Sequence, residues 1–177
     1  MNQTKYQNNK LGFTLIELIV SIAIIGFVTT IGVVNYRSAN KSSVLQLEAY
    51  KAATDIRRAQ NMALGAIEFN FNPSARVPDA WGVYFDSASA DRYIIFADQD
   101  NNQIYTSGDG IFAAINLKNN IVLDISGSIN ISFVPPDPTT YLNGLSGGEV
   151  SINLKDQAGN KYEVKVNVLG LIDVNKL

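Results

Sequence analysis

The stretch that decides the fold is FTLIELIVSIAIIGFVTTIGVV, which runs from Phe13 to Val34 and contains one charged residue, Glu17. As an α-helix rising about 1.5 Å per residue, this run would be about 33 Å long, enough to cross a hydrocarbon core of about 30 Å. Few helices of soluble proteins stay apolar on every face over such a length. We therefore expect residues 13–36 to form the membrane-spanning half of a long N-terminal helix.

The segment before this run is polar and basic. Residues 1–12, MNQTKYQNNKLG, contain Lys5 and Lys10 and no acidic residue. A basic segment followed by an apolar run is also typical of a secretory signal peptide, which is cut after the apolar run at small residues. Residues 36–38, YRS, offer no such site. We therefore expect the apolar run to be retained in the mature protein.

Glu17 is an unusual residue for its surroundings. An ionised carboxylate in a membrane helix costs about 2.5–3.5 kcal/mol at the bilayer centre and less near an end, and such residues usually mark function. The sequence therefore predicts a partner that neutralises Glu17. The alternative is that Glu17 lies at the level of the lipid headgroups.

Residues 10–18, KLGFTLIEL, resemble the cleavage and methylation motif of type IV prepilins and type II secretion pseudopilins. The resemblance implies that residues 1–12 are a leader peptide and that a prepilin peptidase cuts between Gly12 and Phe13. It further implies that the new Phe13 amine is N-methylated. In assembly, Glu17 would then pair with the Phe13 amine of a neighbouring subunit.

The same resemblance implies a location and a set of partners. The leader would be cytoplasmic, and the chain would be a single-pass inner-membrane protein with an extracytoplasmic C-terminal domain before it enters a pilus or pseudopilus. Its partners would be the prepilin peptidase, an inner-membrane assembly platform and the other pilins or pseudopilins of the filament.

The helical pattern continues beyond the apolar run. Apolar residues recur at alternating spacings of three and four, which predicts one buried stripe on an amphipathic helix: Leu45, Ala49, Ala52, Ile56, Ala59, Ala63 and Ile67. We expect one helix from about residue 14 to about 66, with residues 37–68 as its amphipathic half. We interpret Asp55, Arg57 and Arg58 as a solvated face, with salt bridges between subunits as the alternative.

Residues 69–177 have the sequence pattern of a β-domain. Short β-rich runs alternate with turn residues, and no second helical pattern follows. The predicted strands are 81–86 paired with 93–97, 111–117, 121–125 paired with 129–134, a hairpin of 149–154 and 161–168, and 171–174. Along 111–117, we expect Ile111, Ala113, Ile115 and Leu117 to share one face. The fold class is therefore α+β and pilin-like, with one long helix packed on an antiparallel, two-sheet β-domain.

This half resembles the GspH/FimT-type pseudopilins and minor pilins in four looser features. They are DIRRAQNMALGA at the helix end, the strand WGVYFD, the segment ISFVPPDPTTYLNG and the closing VLGLIDV. The chain departs from many pilins in having no cysteine and in having Val34 where major pilins often have proline. The second departure favours a minor subunit.

Composition argues against most kinds of catalysis and against nucleic-acid binding. The 177 residues include no histidine and no cysteine, so a histidine-based triad, a Cys/His zinc site and a disulfide are excluded. We expect no catalytic residues. The formal net charge of −2 gives no bulk attraction to nucleic acid. Lys155, Lys161 and Lys165 cluster near the end of the sequence, but Asp156 and Glu163 interrupt them.

One loop has the spacing of a calcium site. Asp98, Asp100, Asn102 and Asp109 stand at positions 1, 3, 5 and 12 of a calcium-loop pattern and are candidate Ca²⁺ ligands. The glycine expected at position 6 is Gln103, and no helices flank the loop. We therefore favour the alternative that this segment is an Asx-rich turn joining two strands. No other cofactor is expected.

The function predicted from these residues is structural. The chain is expected to be a minor pilin or pseudopilin that polymerises through its N-terminal helix into a type IV pilus or type II secretion filament. One alternative is the major pilin of a type IV or competence pilus. Another is a membrane-anchored binding module that never polymerises. A membrane-anchored hydrolase has little support.

Overall fold

The computed structural model describes residues 12–137 and 139–177, and for residues 31–42 it describes the backbone alone. The predicted leader therefore lies outside the described residues except for Gly12. The side chain of Val34 lies outside them too. The chain divides after Asn40 into two compact units.

The first element is the helix α1, which spans Leu15–Leu64. This confirms the prediction of a helix from about residue 14 to about 66. Its end is set by Ala66, which has a φ of 44°. The Ala66 N–H donates to the Ala63 carbonyl, and the Ile67 N–H donates to the Met62 carbonyl over 3.0 Å. These two bonds form a Schellman motif, which satisfies carbonyls that a helix end leaves unpaired.

The predicted apolar stripe is buried from Leu45 to Ala63. Its six members up to Ala63 are 0–1% exposed and belong to the hydrophobic core. The prediction is wrong for Ile67, which is 48% exposed. The reason is the Schellman motif, because it turns the chain away from the helix axis before Ile67 can continue the stripe.

The described strands form two main antiparallel sheets and a small ribbon. In chain order they are β1 (Phe69–Asn70), β2 (Ala75–Arg76), β3 (Ala80–Asp86), β4 (Arg92–Asp98), β5 (Gly110–Asn116), β6 (Val122–Leu123), β7 (Ser128–Val134), β8 (Thr139–Leu142), β9 (Glu149–Lys155), β10 (Lys161–Asn167) and β11 (Ile172–Lys176). The five-stranded sheet has the order β5-β4-β3-β7-β8, the four-stranded sheet has the order β11-β10-β9-β6, and β1 pairs with β2. The chain thus has an N-terminal helix followed by antiparallel sheets, an α+β fold.

The predicted pairing of residues 81–86 with 93–97 and the hairpin of 149–154 with 161–168 are confirmed. The predicted pairing of 121–125 with 129–134 is wrong. β6 instead pairs with β9 in the other sheet, and β7 pairs with β3. The reason is burial, because the β3 register places Ile131 and Phe133 fully inside the core.

Strand β5 departs from simple alternation at Phe112. Phe96 pairs with Ile111 and Ile95 pairs with Ala113, so the register shifts and Phe112 has no residue opposite it. Ala113, Ile115 and Leu117 pack against the core as predicted. The prediction is wrong for Ile111, which is 52% exposed because the bulge separates it from the other three.

Candidate functional site

The predicted cleavage and methylation positions precede the helix. Gly12 and Phe13 lie before α1 begins, and Phe13 is 84% exposed. A peptide bond in this position lies outside the ladder of helical hydrogen bonds, so a peptidase could reach it without unwinding α1. Cleavage between Gly12 and Phe13 stays a prediction.

Thr14 caps the helix in front of Glu17. The Thr14 Oγ1 atom accepts a hydrogen bond of 3.3 Å from the Glu17 N–H, as an N-cap side chain does. Thr-x-x-Glu is also the sequence signature of a capping box, so this cap could have been predicted from residues 14–17. Glu17 lies in the first turn of α1, where the helix dipole stabilises a carboxylate. The geometry thus holds an acid four residues after Phe13.

The first turns of α1 expose apolar side chains on every face. The large apolar residues from Phe13 to Val28 are between 48% and 84% exposed. The hydroxyl groups in this stretch donate to carbonyls of the same helix: Ser21 to Glu17 over 2.7 Å, Thr29 to Ile25 over 2.8 Å and Thr30 to Gly26 over 2.8 Å. Exposing this surface to water is unfavourable, so it should be covered by an apolar environment, either lipid or other helices.

Within residues 12–137 and 139–177, no helix has the combination of length and apolarity that a membrane crossing requires.

Asp55 is half-buried, while Arg57 and Arg58 are exposed, as the interpretation of a solvated face predicts for the two arginines. The Tyr93 hydroxyl donates to the Asp55 carboxylate over 2.5 Å. The Arg57 guanidinium donates to the Ile172 carbonyl over 2.9 Å, and that of Arg58 stacks 4.8 Å from the ring centroid of Phe112. These contacts tie the helix to three different strands.

Glu48 is a residue whose role the sequence did not indicate. It is not a member of the predicted apolar stripe, but it is 1% exposed. Lys51 Nζ lies 3.8 Å from its Oε2 atom, which accepts no hydrogen bond among the described residues. Burial, followed by the hydrogen bond to Asp55 and the charges of Asp55 and Glu48, raises the pKa of Tyr93 far above its ordinary value. Burial above all, with the two acids adding to it, thus keeps the Tyr93 hydroxyl protonated at the helix–sheet contact.

The candidate calcium loop joins β4 to β5. Asp98 is fully buried, and its carboxylate accepts backbone hydrogen bonds from Asp100 over 3.1 Å, Asn101 over 2.9 Å and Gln103 over 2.8 Å. Burial raises the pKa of Asp98, against the lowering effect of these three bonds. The first half of the loop is therefore the Asx-rich turn that the sequence favoured.

The structure brings the acidic candidates together. Carboxylate oxygens of Asp98, Asp100 and Asp109 lie within 4.8 Å of one another. Asp109 accepts bonds from the Gln99 N–H over 2.9 Å and from the Thr106 N–H over 2.6 Å. The fourth candidate, Asn102, has its Oδ1 atom bonded to the Ile104 N–H over 2.8 Å. Oxygen donors suit Ca²⁺, but these oxygens already accept internal hydrogen bonds, and Ca²⁺ binding stays a prediction.

Two residues that hold this loop were missed in the sequence. The Asn130 Oδ1 atom accepts the Tyr105 N–H over 2.8 Å, and the Ser132 hydroxyl donates to the Gln103 carbonyl. Both lie on β7, more than 20 residues along the chain, so no local pattern could have indicated them. They fasten the loop to the outside of the five-stranded sheet.

The C-terminal lysines are paired with acids. Lys161 Nζ lies 2.5 Å from Asp124, and Lys165 Nζ lies 2.7 Å from Glu149. The hydrogen bond from Lys161 lowers the pKa of Asp124, and the bond to Glu149 raises the pKa of Lys165. Lys161 and Lys165, two of the three clustered lysines, therefore each balance a neighbouring carboxylate.

Comparison with known proteins identifies the N-terminal segment. Residues 7–33 match the family described as the prokaryotic N-terminal methylation motif. No curated protein and no solved structure matches the chain. The match includes Gly12, Phe13 and Glu17. The matched segment is a type IV prepilin-like signal.

Proposed function

We propose that the chain is a minor pilin or pseudopilin of the GspH/FimT type, a structural subunit of a type IV pilus or type II secretion filament. The observation that carries the proposal is the methylation motif at residues 7–33, within which the apolar side chains from Phe13 to Val28 are exposed on every face. A surface of that kind requires lipid before assembly and neighbouring helices after it. The segment 13–36 would first span the membrane and would then pack against the helices of neighbouring subunits.

The proposed mechanism begins with removal of the leader. Cleavage after Gly12 converts a neutral backbone nitrogen into the Phe13 ammonium, which N-methylation leaves positively charged. Glu17 of one subunit then pairs with the Phe13 ammonium of its neighbour. In an apolar bundle an unpaired carboxylate is costly, so this pair sets the axial stagger between helices.

The β-domain has a separate part in this proposal. Its sheets are fixed to the helix through the buried stripe and the contacts of Asp55, Arg57 and Arg58. The domain would then present a lateral or tip surface.

The decisive experiment replaces Glu17. We expect Glu17→Ala to lower incorporation into filaments by at least about tenfold, corresponding to about 1.4 kcal/mol. Glu163→Ala, which removes an acid from the outer face of β10, is the matched control and should incorporate normally. Filaments sheared from cells would be quantified by immunoblot, with membrane levels of each variant as reference. Normal incorporation of Glu17→Ala would show that the docking role is wrong.

A second measurement tests processing independently. After co-expression with a prepilin peptidase, intact mass should show the loss of residues 1–12 and the gain of one methyl group. Retention of the leader would remove the basis of the assignment. Abundance in filaments relative to other pilins would separate a minor from a major subunit, and absence from filaments despite correct processing would favour the membrane-anchored binding module.

A further inference from the structure

Glu48 is a buried acid for which the proposed function has no use. It is 1% exposed, and its Oε2 atom accepts no hydrogen bond from the residues that the structure describes. The cation paired with it is Lys51, whose Nζ atom lies 3.8 Å away and whose side chain is 38% exposed. Burial removes the hydration of a carboxylate, and one half-exposed cation without a hydrogen bond does not replace it. Glu48 therefore weakens the docking of the helical turn that carries it.

The polar contacts between α1 and the sheets lie on one side of Glu48. The side chains of the described residues 44–54 form no hydrogen bond to a strand, and their described polar contacts stay within the helix. The hydrogen bonds that reach the sheets begin at Asp55 and run from the Tyr93 hydroxyl to Asp55 over 2.5 Å, from Arg57 to the Ile172 carbonyl over 2.9 Å and from Gln60 to the Gly170 carbonyl over 3.5 Å. The C-terminal part of α1 is thus fastened to the sheets by polar contacts that its preceding turns lack.

The apolar contacts follow the same division. Leu45 is a fully buried large side chain at the start of the stripe, and Ile56 is the next one. The buried stripe residues between them are alanines, which remove less apolar surface from water than leucine or isoleucine does. The turns around Glu48 therefore have little hydrophobic gain to set against the cost of its buried carboxylate.

Thr54 separates the two parts of the helix. Its hydroxyl donates to the Tyr50 carbonyl over 2.8 Å, within the same helix. A threonine that bonds back to the carbonyl four residues earlier often bends a helix, because that carbonyl is shared between two donors. A bend at this position would leave Asp55 and the residues after it in place.

We propose that residues 45–52 form an undocking segment, which leaves the sheets locally by bending of α1 near Thr54 while residues 55–64 stay docked. In the open form Glu48 regains contact with water, which is the gain that drives opening. Opening stops at Asp55, because the Tyr93 hydroxyl holds that carboxylate. Local openings of this kind occur where a fold has few apolar contacts, and they leave the rest of the domain folded.

Thiol labelling tests this inference in the full chain, because the sequence contains no native cysteine. Ala49 and Ala59 are both fully buried on the stripe and lie on opposite sides of Thr54. In detergent micelles, we expect Ala49→Cys to react with N-ethylmaleimide at least about tenfold faster than Ala59→Cys, because position 49 is exposed by local opening and position 59 by unfolding of the domain. Intact mass at successive times would give both rates.

A second substitution identifies Glu48 as the cause. Adding Glu48→Met should slow the labelling of Ala49→Cys at least about tenfold, because an apolar side chain of similar length has no hydration to regain. The labelling of Ala59→Cys should not become slower by the same factor. Adding Glu68→Met, which removes an exposed acid beyond the helix, should leave both rates unchanged. Lys51→Met should speed labelling at position 49, because it removes the cation paired with Glu48.

Three results would overturn the inference. Equal rates at positions 49 and 59 would show that the helix and the domain open together. Unchanged labelling of Ala49→Cys after Glu48→Met would show that the carboxylate does not drive opening. If either cysteine lowers the melting temperature, Ala52→Cys and Ala63→Cys replace the first pair, and equal rates there would reject the undocking segment as well. The test is independent of the filament function, because it measures neither processing nor assembly.

Discussion

Asp98 and Asp156 are two residues in similar places whose pKa values shift in opposite directions. Each carboxylate stands at the end of a strand and accepts backbone hydrogen bonds from the turn that follows. Burial dominates at Asp98 and raises its pKa, with a further rise from the charge of Asp109. At Asp156 burial is outweighed by hydrogen bonds from Asn160, Ala158 and Gly159, and the pKa is lowered.

This contrast predicts two separate titrations. Carboxyl ¹³C NMR should give a midpoint above about 3.9 for Asp98 and below it for Asp156. Because Asp98 has the higher pKa in the folded state, its contribution to stability is present below the unfolded pKa and is lost as pH rises through the folded value. The contribution of Asp156 is present above the unfolded pKa and is lost as pH falls through the folded one. Midpoints in the reverse order would contradict the geometry.

Calcium provides a second prediction for the same loop. Asp98 and Asp109 each already accept three hydrogen bonds within the domain. We therefore expect Ca²⁺, or its removal with a chelator, to leave both the Asp98 midpoint and the melting temperature unchanged. A midpoint that falls when Ca²⁺ is added would favour the calcium site instead, because a bound cation stabilises the ionised carboxylate.

At the scale of elements, the contact between α1 and the sheets should carry much of the domain's stability. Ile56 is fully buried at the middle of the stripe. Replacing it with alanine should cost about 2–5 kcal/mol, because the lost apolar contacts leave a cavity. Leu64→Ala, at a helix position that is 52% exposed, should stay within about 0.5 kcal/mol. Denaturant unfolding of the full chain would measure both, and equal effects would contradict the docking of the stripe.

The elements that sequence could predict are those specified locally. The stripe on α1 and the hairpin of β9 and β10 each follow from a period and a turn. The partner of β6 could not be predicted, because its two residues pair with β9 about 30 positions further along the chain. The bulge at Phe112 could not be predicted either, because only packing against Trp81 and Arg58 distinguishes Phe112 from its neighbours.

For the candidate site, the division between local and distant information is similar. The motif from Lys10 to Leu18 is readable because its residues are consecutive, and Thr14 could have been added to it. The anchors of the 98–109 loop could not have been found, because Asn130 and Ser132 approach it only after β7 pairs with β3. The burial of Glu48 could not be predicted, because helical spacing alone does not show how wide the buried face is.

For the whole molecule, we expect the apolar N-terminal segment to determine membrane anchoring. Ile24 is 59% exposed in the apolar run. Replacing it with arginine should lower the fraction of the chain that resists alkaline carbonate extraction, because arginine costs about 2.5–3.5 kcal/mol near a helix centre. Ile104→Arg, an exposed position in the β4–β5 loop, should remain in the pellet like the unchanged protein. Complete extraction of the unchanged protein would contradict anchoring.

The bond from Arg57 to the Ile172 carbonyl joins residues 115 positions apart, and Gln60 reaches Gly170 over a similar span. A ribosome delivers the helix long before it delivers the residues to which the helix is tied. During synthesis the apolar stripe of the helix therefore exists before the last strands that complete its packing have been made. Premature stop codons ahead of Ile172 should thus yield chains that proteases remove quickly.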